Sequence, residues 1–426
     1  FVTLATPSKM GSHMAEKKSI LIIGGGVIGA WSAYFLRKAG YGVTIVEKGD
    51  FGSGCSSGNC GLIVPSHALP LCVPDALFKP FKSMLDASSP FYVNPMVGPS
   101  LWSWMIRFAL NCTHRKSMAA AESRHRLLQS SKSLLEDMIQ KENLSIEYQK
   151  NGLLFVHTKE ESLSHYSKIN KLLTQEFSLS AKLYDSKGVV ELEPALKESV
   201  VGGWHYEGDA HLRPDHLMAE LKRVLTSMGV VLLENQDVKD FVLESGSISA
   251  IKTASEDLVA DTVVLATGAL SPILARRLGV KLHIQPGKGY SITTDQPDPC
   301  PKIPLILEDH AVAVTPFKNG FRLGSTMEFG GYNEEINPKR LGLLEEGARH
   351  YLRDVRGKNI QETWYGWRPM SHNGIPTISS VPGFKNAWVA TGHSMLGISM
   401  GTGTGKLLSE LISGESPHID PTPYQL

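Results

Sequence analysis

Short apolar runs that end in glycine alternate along this chain with stretches whose apolar positions recur at helical spacing, a pattern that predicts strands and helices in α/β order. Ile20 to Ile23 reads as a buried parallel strand, Trp31 to Ala39 as a helix capped by Gly40, and Val43 to Val46 as a second strand ending on Glu47. Pro65 to Pro80 is irregular, and from Phe81 to about Lys141 the periodicity is helical, with Leu127, Leu128, Leu134, Leu135 and Met138 on one face. Ile146 to His157 reads as a hairpin about Asn151-Gly152, followed by a helix over Lys159 to Glu176 and a short strand over Gly202 to Tyr206. Pro214 opens a helix through Leu217, Leu221 and Leu225 to a Gly229 cap. Strands follow over Val230 to Leu233, Val238 to Leu243, Ser247 to Thr253 and Asp261 to Ala266. Lys288 to Thr294, Ala311 to Pro316 and Phe321 to Met327 alternate as sheet residues do, the last two joined at Asn319-Gly320. A helix over Leu341 to Val355, strands over Thr363 to Met370, Pro376 to Ser379 and Ala387 to Ala390, and a last helix from Ile398 to Ile412 complete the pattern.

Gly24, Gly26 and Gly29 form a G-x-G-x-x-G turn between the first strand and helix: the first for the tight turn, the second for approach of a pyrophosphate, the third for close helix packing. Glu47 lies where an acid binding ribose hydroxyls is expected, ~20 positions on. Two further strands also end in glycine turns, at Ala266-Thr267-Gly268 and Ala390-Thr391-Gly392. A nicotinamide enzyme needs only one contiguous nucleotide unit, whereas pieces scattered over the whole chain suit one large resident ligand, FAD. The helix starting near Gly397 would aim its positive end at a flavin ring that accumulates negative charge on reduction. Between Gly49 and Gly61 lies a loop of small residues rich in backbone and hydroxyl donors.

Length allows two domains, and 43 Lys and Arg against 42 Asp and Glu point to no nucleic-acid partner. Residues 1–14, ending Gly11-Ser12-His13-Met14, read as a tag remnant. Cys55, Cys60, Cys72, Cys112 and Cys300 are odd in number and form no C-x-x-C pair, which fits the reducing cytoplasm better than a disulfide framework. No apolar run is long enough to span a bilayer. Leu101 to Leu110, with Trp102 and Trp104 and a basic flank of His114, Arg115 and Lys116, reads either as a buried helix or as a peripheral contact with the inner face of a membrane. His67, His310, His372 and His393 show no metal spacing and are candidate polar wall residues; the oligomeric state stays open.

The glycine turn, the loop Gly54-Cys-Ser-Ser-Gly-Asn-Cys-Gly61, Pro286-Gly-Lys-Gly-Tyr-Ser291, Ile306-Leu-Glu-Asp309, Gly366-Trp-Arg-Pro-Met370 and Thr391-Gly-His-Ser-Met-Leu-Gly397 occur in this order from about Ser19 to Pro417. Together they resemble the FAD-dependent D-amino acid dehydrogenase branch of the D-amino acid oxidase and glycine oxidase superfamily. The resemblance implies an α/β (α+β) fold: a glutathione-reductase-like FAD-binding domain from 15–80, 202–280 and 356–416, an inserted mixed-sheet substrate domain from 81–201 and 281–355, and a tail from 417–426. It implies an FAD site built from Gly24, Gly26, Val27, Ile28, Gly29, Glu47, Lys48, Ser56, Ser57, Asn59, Gly61, Leu62, Val238, Thr267, Gly268, Gly392, His393, Met395, Leu396 and Gly397. Arg368 would pair with a substrate carboxylate, as the fork of a guanidinium suits, and Tyr290 would be a second contact, with packing as its alternative role. No cysteine lies near Arg368, so the FAD is expected to be noncovalent, and Gly58, Asn59 and Cys60 stand where these dehydrogenases usually carry alanines.

The activity implied is oxidation of the Cα–N bond of a small amino acid, in the first place a D-amino acid, by hydride transfer to flavin N5, with the imine hydrolysing to a 2-oxo acid and ammonia. Alternatives are a dehydrogenase of hydroxyproline, proline or another cyclic secondary amine, and a nonenzymatic flavoprotein. The electron acceptor implied is a quinone or a dye in preference to oxygen.

Overall fold

The computed structural model describes residues 17–74, 86, 89 and 91–426; residues 1–14, expected to be a tag remnant, and the start of the helical stretch expected from Phe81 lie outside the described residues. Two large sheets organise the chain. The first has six strands in the order Thr377–Ser380, Ala387–Thr391, Thr262–Leu265, Lys17–Ile23, Tyr41–Val46, Val231–Leu233. All its pairings are parallel except the outermost, Thr377–Ser380 with Ala387–Thr391. Because Ile23 is in register with both Leu265 and Val46, the three glycine turns open along one edge. That edge is where ligands bind in a parallel sheet.

The second sheet has nine strands of mixed direction around the long antiparallel pair Ile284–Thr294 and Ile360–Ser371. Gly202–Tyr206 and Ile360–Ser371, expected in the nucleotide unit, hydrogen-bond within this sheet instead. All five residues of Gly202–Tyr206 are buried, which a central strand with covered faces requires.

Local signals misplace two stretches. Asn151-Gly152 turns no hairpin: Leu153–His157 pairs parallel with Leu305–Leu307 and antiparallel with Gly202–Tyr206. Gly152 is needed because a side chain there would meet the Tyr206 carbonyl 2.7 Å away. The helical stretch to Lys141 contains a strand, Phe91–Val93, and two helices, Pro99–Asn111 and His114–Lys141, divided where the Thr113 side chain caps the second by accepting the Lys116 N–H. Leu127, Leu128, Leu135 and Met138 face the core, and Leu134 is half-buried.

The last helix, Gly397–Ser413, lies directly on the first, Val27–Lys38. Its glycines permit the approach, since a Cβ on Gly405 would stand 2.5 Å from the Trp31 carbonyl carbon. We expect Gly405→Ala to destabilise the protein by about 1–3 kcal/mol through overpacking. Gly342→Ala, in the helix Pro338–Arg349 with no atom within 4 Å of the added methyl, should be neutral or stabilise by about 0.4–1 kcal/mol. Thermal unfolding of the two variants checks this; equal shifts would contradict it.

Candidate functional site

A cavity of about 1150 Å³ runs from the open edge of the six-stranded sheet to the face of the nine-stranded one. Two helices begin at it, at Val27 and at Gly397, so two positive helix ends and their amides point into one space. Gly24 makes the turn at φ +112°, where a Cβ would lie 2.5 Å from the Ala266 carbonyl oxygen. At Gly26 a Cβ would meet only Ser56 Oγ, at 3.4 Å, so the space before this backbone is open to a ligand. The Val27 N–H donates to Ser56 Oγ at 2.9 Å. Glu47 accepts from the Gly25 N–H at 2.6 Å and the Gly49 N–H at 3.1 Å, which binds the turn to the end of the second strand.

Of the expected cofactor set, Gly24, Gly26, Val27, Ile28, Glu47, Lys48, Ser56, Asn59, Leu62, Val238, Thr267, Gly268, His393, Met395, Leu396 and Gly397 line the cavity. Gly29, Ser57, Gly61 and Gly392 stand behind the wall. Side chains at Gly29 and Gly61 would run into the carbonyls of Gly24 and Leu212, Gly392 turns at φ +83°, and the Ser57 carbonyl accepts from Arg322. Arg322 is 2% exposed, donates also to the Asn59 carbonyl at 2.6 Å and pairs with Glu362 at 3.1 Å. Ser291 Oγ and Thr315 Oγ1 bond the carbonyls of Gly58 and Cys60. The small-residue loop is thus clamped to the nine-stranded sheet. Sequence offered no way to find Arg322, because a charge alternating with Phe321 and Leu323 reads as the solvent face of a strand.

Among the described residues, three buried polar atoms of cavity-lining side chains have no hydrogen-bond partner: His393 Nδ1, Trp367 Nε1 and Thr326 Oγ1. Native proteins satisfy such groups with protein, water or ligand, and these three belong to side chains that a bound molecule would touch. Burial pushes His393 down to about 3, so its ring is neutral, with Nε2 bonded to Thr404 Oγ1 at 2.9 Å. The open glycine, the paired helix ends and these unpaired atoms fit a dinucleotide with a polar ring system at its end. Gly24 to Val27 would hold the phosphates, Glu47 the ribose, and Met395 to Gly397 the ring.

Arg368 lines the far end of the cavity, on the strand Ile360–Ser371. Its guanidinium lies over Gly289 and donates to the carbonyls of Thr326 at 2.6 Å and Ser325 at 3.3 Å. Those carbonyls are turned toward it by a bulge: Ser325 has φ 126° and Thr326 φ 52°, and the pairing slips by one residue between Lys288 and Tyr290. Among the described residues no carboxylate pairs with Arg368. Burial lowers its affinity for a proton, a fall that negative charge on Cys60 or Cys55 would oppose. Those thiols are themselves pushed up by burial, Cys55 to about 12, and both stay protonated.

Tyr290 also lines the cavity, but its hydroxyl donates to Glu328 at 2.9 Å, and Glu328 pairs with buried Arg340 at 3.1 Å. Of the four histidines, His67 and His393 reach the wall and His310 and His372 do not. Among the described residues no group of His, Cys, Asp and Glu could hold a metal ion.

The family model for FAD dependent oxidoreductases matches residues 19–411. The D-amino acid dehydrogenase of Granulibacter bethesdensis is 30% identical over 412 residues, 94% of this chain and 97% of that protein. A Helicobacter pylori enzyme of the same name is 30% identical over 396 residues, 93% and 95% of the two chains. In structure the chain is similar to glycine oxidase from Geobacillus kaustophilus, with a TM-score of 0.77 at 23% identity over 97% of this chain and 99% of the other. It is also similar to L-proline dehydrogenase from P. horikoshii, with a TM-score of 0.70 at 19% identity over 97% of each. The match runs from the first strand to the last helix and takes in every element that builds the cavity: the chain belongs to the FAD-dependent oxidoreductase family, with FAD as its cofactor.

Proposed function

We propose that this protein is an amino acid dehydrogenase that oxidises the Cα–N bond of a small amino acid, in the first place a D-amino acid, to a 2-oxo acid and ammonia. The observation that carries the reading is Arg368: a guanidinium at the cavity wall, fixed by two backbone carbonyls and lacking a carboxylate among the described residues. A substrate carboxylate supplies the missing anion. The likeness to D-amino acid dehydrogenases over nearly the whole chain supports the same substrate class. FAD when bound supplies a two-electron acceptor. The protein's part is positioning: Arg368 anchors the carboxylate, the protonated thiols of Cys55 and Cys60 leave its charge uncancelled, and Phe155 and Trp364 give the chamber apolar walls.

The electrons leave, on this reading, to a quinone. No helix among the described residues is long and apolar enough to cross a membrane. The helix Pro99–Asn111 instead buries Leu101 and Trp104 and leaves Trp102, Ile106 and Leu110 at 37%, 62% and 62% exposure beside Arg107, a surface suited to peripheral contact with a bilayer. We therefore expect good activity with a dye or soluble quinone and weak reaction with oxygen. Fast hydrogen peroxide production in air, with no gain from added dye, would refute this.

Gly26→Val should yield folded, colourless protein, since the side chain enters the open space before the backbone; flavin absorbance after purification checks it. Arg368→Ala should lower kcat/KM by roughly two to three orders of magnitude, the loss of a charge-assisted pair worth ~2–5 kcal/mol. Arg368→Lys should recover only part of this, because an ammonium cannot reproduce the fork. The wild type, mixed anaerobically with D- and L-amino acids and with proline and hydroxyproline, should bleach with its substrate. Near-normal kcat/KM in Arg368→Ala would remove the anchor, and no bleaching with any member of the panel would remove the reading.

A further inference from the structure

Arg368 accounts for the substrate's carboxylate and leaves its amino group without a partner. His67 lines the same cavity, on the short turn Pro65–Ala68, with its ring 5.7 Å from that of Phe155. Its backbone is fixed by Arg124, whose guanidinium donates to the carbonyls of His67 and Ala68, each at 2.8 Å. Behind the ring runs a buried chain of polar groups. His67 Nδ1 lies 3.3 Å from Ser66 Oγ, Ser66 Oγ bonds Asp209 Oδ2, and the Ser66 N–H donates to Asp209 Oδ1 at 3.1 Å. Asp209 is 2% exposed.

The chain has a direction. An ionised carboxylate only accepts, so the Ser66 hydroxyl donates to it and the hydroxyl oxygen accepts from His67. The ring proton then sits on Nδ1, and Nε2 carries the lone pair. Among the described residues Nε2 has no protein partner. We propose that His67 Nε2 accepts a hydrogen bond from the amino group of the α-amino acid substrate, with Ser66 and Asp209 as positioning residues that hold the ring in the tautomer able to do so. The assignment rests on the amino acid reading and deepens it: Arg368 takes the carboxylate, His67 takes the nitrogen, and Cα is fixed between them.

Burial, with the charge of Arg124 adding to it, takes His67 down to about 4, so the ring is neutral and remains an acceptor. Burial pushes Asp209 up to about 7 against the two bonds from Ser66, with Lys132, Tyr148, Tyr166 and Tyr206 facing it. When Asp209 takes a proton its hold on the Ser66 hydroxyl is lost. Ser66 is then free to donate to Nδ1, and Nε2 becomes a donor unable to serve the amine.

The test compares an amino acid with propionate, which has the carboxylate and no amine. His67→Leu, with wild-type FAD content, should raise KM for the best amino acid roughly tenfold to a hundredfold, the loss of one hydrogen bond to a charged group. The Kd of propionate, read from the flavin spectrum, should stay unchanged, whereas Arg368→Ala should weaken it. The proton taken up by Asp209 should lower wild-type kcat/KM below pH about 7, and Ser66→Ala, which keeps the ring and frees its tautomer, should lose that fall. An unchanged KM in His67→Leu, a propionate Kd that rises in step with KM, or an acid-side fall kept in Ser66→Ala would each overturn the assignment. A wild type that bleaches with no amino acid takes down the reading and His67 with it. A wild type that bleaches while His67→Leu keeps its KM takes down His67 alone.

Discussion

The site depends first on how closely the last helix lies on the first. With Gly401 and Gly405 against Trp31, the two helix axes come near enough for both N-termini to open into one cavity, Gly397 standing 3.8 Å from Val27 by its would-be side chain. Larger residues would separate the helices and split one field into two. Glycine in a helix interior costs about 1 kcal/mol relative to alanine, so a helix with glycines at 401, 403 and 405 is poor on propensity alone. Packing offsets this, for Gly403 abuts Leu127 of the long helix while its neighbours abut Trp31. The helix is held from two sides because it has so little side chain of its own.

Two arginines on the nine-stranded sheet sit in contrasting environments. Arg322 has partners on every nitrogen: two loop carbonyls, Thr293 and the carboxylate of Glu362 surround it. Removing it would leave buried carbonyls unpaired, and its work is to fix the loop. Arg368 also donates to two backbone carbonyls, those of Thr326 and Ser325, but among the described residues it has no carboxylate. A desolvated cation without a counter-ion is unfavourable, and a chain that needed only structure would pair it as it pairs Arg322. The difference between the two environments, more than either alone, supports the proposal that Arg368 is the binding group.

The fold was legible in the sequence wherever a residue type answers to one physical demand. Gly24 and Gly26 with Glu47 fall at a turn, an open backbone and a carboxylate at its edge, and the glycine ends at Thr267-Gly268 and Thr391-Gly392 mark strands that converge in space. The hairpin at Asn151-Gly152 failed because glycine answers two demands, a turn or a close neighbour, and the neighbour, Tyr206, is distant in sequence. Arg322 and the pairing of Gly202–Tyr206 were hidden for the same reason: both are set by contacts with partners many positions away. His67 could be named as a wall residue, yet its significance lies in Asp209, which no spacing connects to it.

The bulge at Ser325 and Thr326 joins these points. Neither residue is glycine, and the left-handed geometry costs of order 1–3 kcal/mol at each. Sheet pairing gives no reason for it, since a regular strand would run on to Phe329 without the slipped register. What the distortion achieves is to turn two carbonyls toward one guanidinium and to leave Thr326 Oγ1 without a partner among the described residues. Arg368 and the bulge therefore hold each other: without the arginine the strained carbonyls have no donor, and without the strain the arginine has no seat. Backbone distortion placed in a rigid sheet fixes a charged side chain more exactingly than a loop could, which is what a reaction governed by the orientation of one Cα requires.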